Sequence, residues 1–247
     1  MRRPAPGRAV SKTSEPKDRF GDLSPERRAI LIQTLRDRSV RRAAAESIPR
    51  RPAGRPAPLS FAQERLWFLD RLGPATPIYN MARALRLRGP LDVAALERGL
   101  NEIVRRHEIL RTTFAEAAEG PVQVIAPSLV LDLPVVELGA LPEDRRQEEV
   151  SRRAAEEVRR PFDLGRGPLL RGLLLRLAGD EHVMVLTLHH IAGDGWSIGV
   201  LDREMAALYE AFAAGRPSPF PDLPIQYADF ASWPGSRGSF PPAWSHP

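Results

Sequence analysis

The sequence contains no cysteine, which excludes disulfide bonds and thiolate zinc sites. It also lacks any apolar run approaching the ~20 residues of a membrane-spanning helix. No apolar segment follows the arginines near the N-terminus, so this region does not match a secretory signal. These absences predict a cytoplasmic protein without a membrane partner.

Lysine is nearly missing as well, since only Lys12 and Lys17 occur and every other basic residue is an arginine. Residues 1–57 hold 15 basic and 6 acidic residues, whereas residues 58–247 hold 21 basic and 25 acidic ones. The basic segment has one aromatic residue, Phe20, and no recognisable nucleic-acid-binding motif. We therefore expect a solvated arm and no nucleic-acid partner.

The composition changes along the chain and predicts four segments. Residues 1–22 are polar and contain proline, which predicts a disordered basic arm. Residues 23–57 are interpreted as a linker helix, near 25–38, followed by a Pro/Arg linker. A folded domain is expected over 58–233, and an irregular tail over 234–247.

Hydrophobic periodicity inside the predicted domain alternates between strand and helix. Two-residue alternation or short apolar runs predict strands at 85–87, 121–126, 130–136, 168–177 and 182–190. Helical spacing predicts helices after Asp92, over 142–160 and over 197–213. The last two strands are separated by a hairpin loop over 178–181. The pattern indicates a mixed α/β fold, a mixed sheet with flanking helices, and contains no G-x-G-x-x-G or Walker loop.

Two histidines end the strand predicted at 182–190. Alternation places His190 on the face of Met184, Leu186 and Leu188, and His189 on the opposite face. The imidazoles therefore have different tasks, one facing a cavity and the other packing inside. Opposite directions also disfavour a metal site formed by both histidines and a nearby carboxylate.

Asp194 follows the histidine pair between two glycines, Gly193 and Gly195, which allow a tight turn. The helix expected after the turn would direct its N-terminal amides back toward it, where negative charge is favoured. A histidine beside amide donors suits acyl transfer. The imidazole accepts a proton from a nucleophile, and the amides stabilise an oxyanion.

A G-x-S-x-G pattern, Gly195 to Gly199, offers an alternative hydrolase function with Ser197, Asp222 and His246 as a triad. We consider it disfavoured because the strand ends at His190, too early for Ser197 to lie on the strand-to-helix turn. His246 is also next to last in a Pro-rich tail, and no oxyanion loop of the hydrolase type occurs. We predict that Ser197 is a helix N-cap.

Four segments in order resemble the motifs of a condensation domain from non-ribosomal peptide synthetases, in the chloramphenicol-acetyltransferase-like superfamily. The active-site segment is His189-His190-Ile191-Ala192-Gly193-Asp194-Gly195, continued by Trp196-Ser197. The other three segments run from Leu59 to Leu69, from Arg106 to Phe114 and from Tyr227 to Trp233.

The resemblance implies a chloramphenicol-acetyltransferase-like lobe, half of a V-shaped domain whose active site lies between two lobes. It covers residues 58–233, and the later motifs of the family have no counterpart. The implied reaction is amide-bond formation between a carrier-bound donor acyl or peptidyl thioester and an acceptor aminoacyl thioester. We also expect a truncated gene, and the alternative function is a catalytically incompetent lobe that binds carrier proteins.

The resemblance also implies individual roles. His190 would be the catalytic histidine beside the acceptor amine, with His189 in the same motif, and Gly195 would bring its backbone near the reacting centre. Asp194 would be structural and paired with Arg65. Trp196 and Ser197 would support the site, and Trp196 is typical of condensation rather than epimerisation domains.

Substrates would arrive on phosphopantetheine arms, so the implied partners are donor and acceptor carrier domains and adjacent synthetase modules. Neither a metal nor a directly bound cofactor is expected. The opening motif favours an L-configured donor.

Overall fold

The computed structural model describes residues 48–52, 54–73 and 75–234. The basic arm, the helix predicted near 25–38 and the tail beyond residue 234 lie outside the described residues. Across the described ranges, no helix combines the length and the apolar character needed to cross a bilayer.

Within the described residues, seven strands form two sheets. The smaller sheet has the order β1 (Ala57–Pro58), β4 (Gly120–Ile125) and β3 (Thr112–Ala117), all antiparallel. In the larger sheet the order is β2 (Asn80–Arg88), β7 (Glu181–His189), β6 (Leu170–Ala178) and β5 (Val135–Glu137). Only the pairing of β5 with β6 is parallel.

In the part of the chain that the structure describes, five helices flank the sheets, so the mixed α/β prediction is confirmed. They are α1 (Phe61–Arg71), α2 (Val93–Arg106), α3 (Glu143–Arg159), α4 (Gly195–Ala213) and α5 (Tyr227–Ser232). Three short 3-10 turns cover Pro77–Tyr79, Glu108–Arg111 and His190–Ala192. The predicted cap of α2 is present, because Asp92 accepts a hydrogen bond from the Ala95 amide at 2.9 Å.

The larger sheet lies between helices on both faces. Apolar side chains of β7 point alternately to the two faces, so both faces have to be covered. Met184, Leu186 and Leu188 share one apolar cluster with α2 and α4. Val183 and Val185 belong to a second cluster, against which α3 packs. The apolar stripe predicted on α4 faces the first cluster, through Ile198, Leu201, Met205, Leu208 and Phe212.

The strand predicted over 130–136 is wrong for most of its length, since only Val135–Glu137 pairs with β6. Leu131 and Leu133 instead insert into the first cluster from an extended loop. Asn101 replaces the missing strand partner: its side chain accepts from the Leu131 amide at 2.8 Å and donates to the Leu131 carbonyl at 3.0 Å. Strand β3 was not predicted.

The fold also begins before residue 58, where the Pro/Arg composition predicted the boundary. Ala57 pairs with β4, and Arg51 is held between Glu108 at 2.6 Å and Asp229 at 2.9 Å. Arg50 donates to the carbonyls of two residues that precede α5. These bonds attach the linker to the domain, an effect that composition does not reveal.

Candidate active site

A cavity of about 540 Å³ lies where α1, the 3-10 turn His190–Ala192 and the first turn of α4 meet. Its walls include the following site candidates and aromatic residues: Phe61, Arg65, Tyr79, His190, Asp194, Ser197 and Tyr227. Segments far apart in sequence therefore converge on one cavity. Another cavity, of about 580 Å³, lies elsewhere, between α3 and the start of β6.

Helix α1 is fixed over the small sheet by its N-terminal cap. Ser60 and Gln63 form a capping box, and the buried Gln63 side chain also donates to Gln123 of β4 at 3.3 Å. The hydroxyl groups of Ser60 and Tyr227 are 2.9 Å apart, which joins the start of α1 to α5. These contacts fix the cavity wall that carries Phe61 and Arg65.

His190 reaches the cavity by a different route from the predicted one. Strand β7 ends at His189, and His190 begins the 3-10 turn, where strand alternation no longer applies. Met184, Leu186 and Leu188 are buried in the core, so the prediction that His190 shares their face in a cavity is wrong. The turn leaves His190 exposed and directs it into the cavity wall.

His189 lies inside the domain, with 2% of its surface exposed, and does not line the cavity. Its Nδ1 accepts a hydrogen bond from the Ile191 amide at 3.1 Å. The rings of Tyr79 and Phe162 stand edge-on to the imidazole, with centroids 6.1 and 5.7 Å away. Burial, followed by the charges of His190 and Arg171, lowers the pKa of His189 to about 4. His189 is therefore neutral at physiological pH.

Asp194 caps α4 and has no ion pair with Arg65. Its carboxylate accepts from the Ser197 amide at 2.9 Å and from the Ser197 hydroxyl at 2.8 Å. These hydrogen bonds lower the pKa of Asp194. Among the ion pairs of residues 48–52, 54–73 and 75–234, none joins Asp194 to Arg65, although both line the cavity. The predicted pairing is thus not formed in this structure, where the Asp194 carboxylate caps α4 through one of its oxygens.

The same cap changes two further predictions. The N-cap of α4 is Asp194, and Ser197 is the third residue of the capping box, so the expected N-cap role of Ser197 is wrong. The Asp194 carboxylate also occupies the Ser197 amide, so this amide does not serve as an oxyanion donor.

The two glycines of the motif differ. A Cβ added at Gly193 would lie 2.9 Å from the Cβ of Ser197, so this position must be glycine for the turn to approach α4. A Cβ at Gly195 would meet nothing within 4 Å, which leaves open space beside the cavity.

Two members of the alternative serine triad bond with other residues. Ser197 bonds with Asp194 in both directions, and Asp222 pairs with Arg105 at 2.9 Å. His246 lies outside the described residues. The G-x-S-x-G pattern therefore belongs to a helix cap rather than to a nucleophile elbow.

Large apolar side chains are exposed around the cavity. Trp196, at the start of α4, is 81% exposed, and Phe61, at the start of α1, is 76% exposed. Ile225 and Tyr227 are also exposed on the segment that leads into α5. Such a cluster is typical of a surface that is covered in a larger assembly. No pattern in the sequence singled out Tyr79 as a cavity residue.

The model of the condensation-domain family matches residues 55–238. Chondramide synthase cmdD of Chondromyces crocatus is 54% identical over 186 residues, which are 75% of this chain and 5% of that protein. Phosphinothricin tripeptide synthetase PhsC of Streptomyces viridochromogenes is 47% identical over 216 residues, 87% of this chain and 20% of that protein. The chain thus spans a small part of these curated relatives.

Solved structures agree with the sequence relatives. The X-domain from teicoplanin biosynthesis, in complex with OxyB, has a TM-score of 0.67 at 37% identity over 75% of this chain and 39% of that one. The starter condensation domain of rhizomide synthetase RzmA has a TM-score of 0.64 at 26% identity, over 70% and 41% of the two chains. This chain belongs to the condensation-domain family of non-ribosomal peptide synthetases.

Proposed function

We propose that this chain supplies one wall of an active site that forms amide bonds between two carrier-bound thioesters, with His190 at the reacting amine. The observation that carries the proposal is the position of His190, which is exposed in a cavity of about 540 Å³ beside Arg65 and Tyr227. Each substrate would arrive on the phosphopantetheine arm of a carrier domain.

In the proposed reaction, the amine nitrogen of the acceptor attacks the carbonyl carbon of the donor thioester. A carbon–nitrogen bond forms and the carbon–sulfur bond breaks, so the donor carrier leaves as a thiol. The amine loses one proton, and the thiolate gains one. His190 accepts a hydrogen bond from the amine and so directs the lone pair of the amine nitrogen toward the thioester carbon. It contributes to the rate mainly by positioning the amine and less by acting as a base.

The rest of the motif holds His190 in this geometry. His189 is a buried neutral acceptor, and Asp194 caps the helix that begins after the turn. Gly193 allows the turn to contact Ser197 closely, and Gly195 leaves room for a substrate backbone. In this proposal His189 and Asp194 position the site, and of these three side chains only His190 contacts the substrate.

The exposed Phe61 and Trp196 support a site that needs a second wall. The solved relatives extend well beyond the matched region, since this chain covers 39% and 41% of them. We therefore expect full activity only when the chain is followed by the other half of the domain.

A coupling assay with a donor-loaded and an acceptor-loaded carrier tests the proposal, with the amide product measured by mass spectrometry. The assay is run on this chain alone and on a fusion to the remaining half of the matching PhsC domain. We expect product from the fusion and little from the chain alone. Hydrolysis of the donor thioester that Ser197→Ala abolishes would instead support the serine hydrolase.

A binding role is the second candidate, favoured by the same exposed apolar side chains. One solved relative was determined in complex with OxyB, so a fold of this kind can bind another protein. If the fusion binds loaded carriers but forms no amide, the binding role replaces the catalytic one.

A further inference from the structure

Arg171, on β6, is a buried arginine that the proposed chemistry does not use. It is 9% exposed, and its guanidinium donates to three carbonyls at the end of α3, those of Glu157, Arg160 and Pro161, at 2.7 to 3.1 Å. It also forms an ion pair with the Glu157 carboxylate at 2.5 Å. A cation here complements the negative end of the helix dipole and satisfies the last carbonyls.

The guanidinium of Arg171 also covers an aromatic ring that leads toward the motif. Its central carbon lies 3.7 Å from the centroid of the Phe162 ring, a cation–π contact. The Phe162 ring also contacts the His189 imidazole edge-on, with an angle of 73° between the two ring planes. A continuous series of contacts thus joins the end of α3 to the first histidine of the motif.

The hydrogen bond between the Ile191 amide and His189 closes the turn that presents His190. It requires an unprotonated Nδ1, because both ring nitrogens of an imidazolium carry hydrogen and neither can accept. Protonation of His189 would therefore break the bond and release the turn.

The charges around His189 oppose its protonation. His190 follows it in the chain, Arg171 faces it from β6, and Glu157 of α3 partly balances Arg171. Tyr79 from the preceding 3-10 turn and Asn80 of β2 are neutral neighbours. Burial, His190 and Arg171 lower the pKa of His189 in that order.

We propose that Arg171 is a positioning residue which, through Phe162, keeps His189 in place as the neutral acceptor for the Ile191 amide and so fixes the turn that carries His190. The consequence for catalysis rests on the proposed function, whereas the state of His189 can be measured without it. Asn80 assists from β2, since its side chain donates to the carbonyls of Val158 and Arg160 at the same end of α3.

Nitrogen-15 NMR of the five histidines in the full chain tests this inference. In the native protein we expect His189 to carry its proton on Nε2 and to titrate with a midpoint of about 4. Arg171→Gln should raise this midpoint measurably, because it removes a positive charge. Arg153→Gln is the matched control, since the Arg153 side chain is 40% exposed and pairs with Glu149 within α3, and it should leave the midpoint unchanged.

Two further variants keep the test decisive if Arg171→Gln does not fold. Arg171→Lys retains the charge but loses the planar fork, so its midpoint should stay close to that of the native protein. Phe162→Leu leaves the bonds of Arg171 to α3 in place and should speed hydrogen exchange of the Ile191 amide at least about tenfold. An unchanged His189 midpoint in Arg171→Gln, or unchanged Ile191 exchange in a folded Phe162→Leu variant, would overturn the inference. Neither readout depends on amide formation, so its failure is distinct from a failure of the proposed function.

Discussion

Asp194 and Ser197 bond reciprocally at the start of α4: the Asp194 carboxylate accepts from the Ser197 amide and hydroxyl, and the Ser197 hydroxyl accepts from the Asp194 amide. The aspartate of the motif is therefore a helix cap that joins the turn after β7 to α4. It shares a cavity with Arg65 but does not bond with it in this structure.

Substitution of Asp194 tests this capping role. Asp194→Ala should lower the free energy of unfolding by about 1 kcal/mol, and Asp194→Asn, which retains a capping oxygen, by only a few tenths of that. Urea unfolding measures both. In a double-mutant cycle with Arg65→Gln, the coupling energy should be near zero. A coupling energy of about 1 kcal/mol or more would show that Arg65 and Asp194 do interact.

The two glycines of the motif should respond differently to alanine. Gly193→Ala places a Cβ against that of Ser197 and should destabilise the fold by about 1 to 3 kcal/mol. Gly195→Ala meets no neighbour and should leave stability unchanged or slightly higher, because alanine favours helices. If Gly195→Ala nevertheless lowers coupling by the fusion, the space beside it is used by substrate. Equal stability losses would refute the distinction.

The buried His189 should make stability depend on pH. Its pKa is about 4 in the folded chain against ~6.5 in the unfolded chain, so the unfolded state binds more protons between these values. The stabilisation is complete above about pH 6.5 and is lost as the pH falls toward 4, by up to about 3 kcal/mol.

His189→Asn is the matched variant for this prediction, since its side-chain oxygen can accept from Ile191 but does not titrate. Unfolding free energies measured across this pH range should fall less steeply for the variant than for the native chain. Parallel curves would show that His189 is not the responsible group.

Arg51 should contribute to the stability of the domain although it lies in the Pro/Arg segment. Arg51→Ala leaves the buried Asp229 without its ion pair, and we expect a loss of about 2 to 3 kcal/mol in unfolding free energy. The exposed Arg55 provides the control, and Arg55→Ala should change stability by less than about 0.5 kcal/mol. An Arg51 effect as small as that of Arg55 would show that the ion pairs of Arg51 do not stabilise the domain.

Local pattern was sufficient for much of this fold. The apolar stripe of α4 predicted the face of this helix that packs into the core. The pattern failed where a side chain replaced a backbone partner, as Asn101 does for Leu131, and where an ion pair held a polar segment, as Arg51 does. Neither contact leaves a periodic signal, because the partners are distant in sequence.

The candidate site, like the fold, could be predicted only in part from the sequence. The motif located His190 and Asp194 in one cavity wall, but strand alternation could not reveal that β7 stops at His189 and that a turn carries His190 outward. The bonds of Asp194 with Ser197 and of His189 with Ile191 depend on this turn. The roles of the individual motif residues could therefore be assigned only from the three-dimensional structure.

The most direct test of the proposed function compares native and His190→Ala forms of the fusion in the coupling assay. Because His190 is exposed, the substitution should leave the unfolding free energy nearly unchanged. We expect it to lower the rate of amide formation at least about 100-fold, as the loss of a positioning and hydrogen-bonding group does. A folded His190→Ala fusion that forms amide at the native rate would contradict the assignment of His190 to the reacting amine.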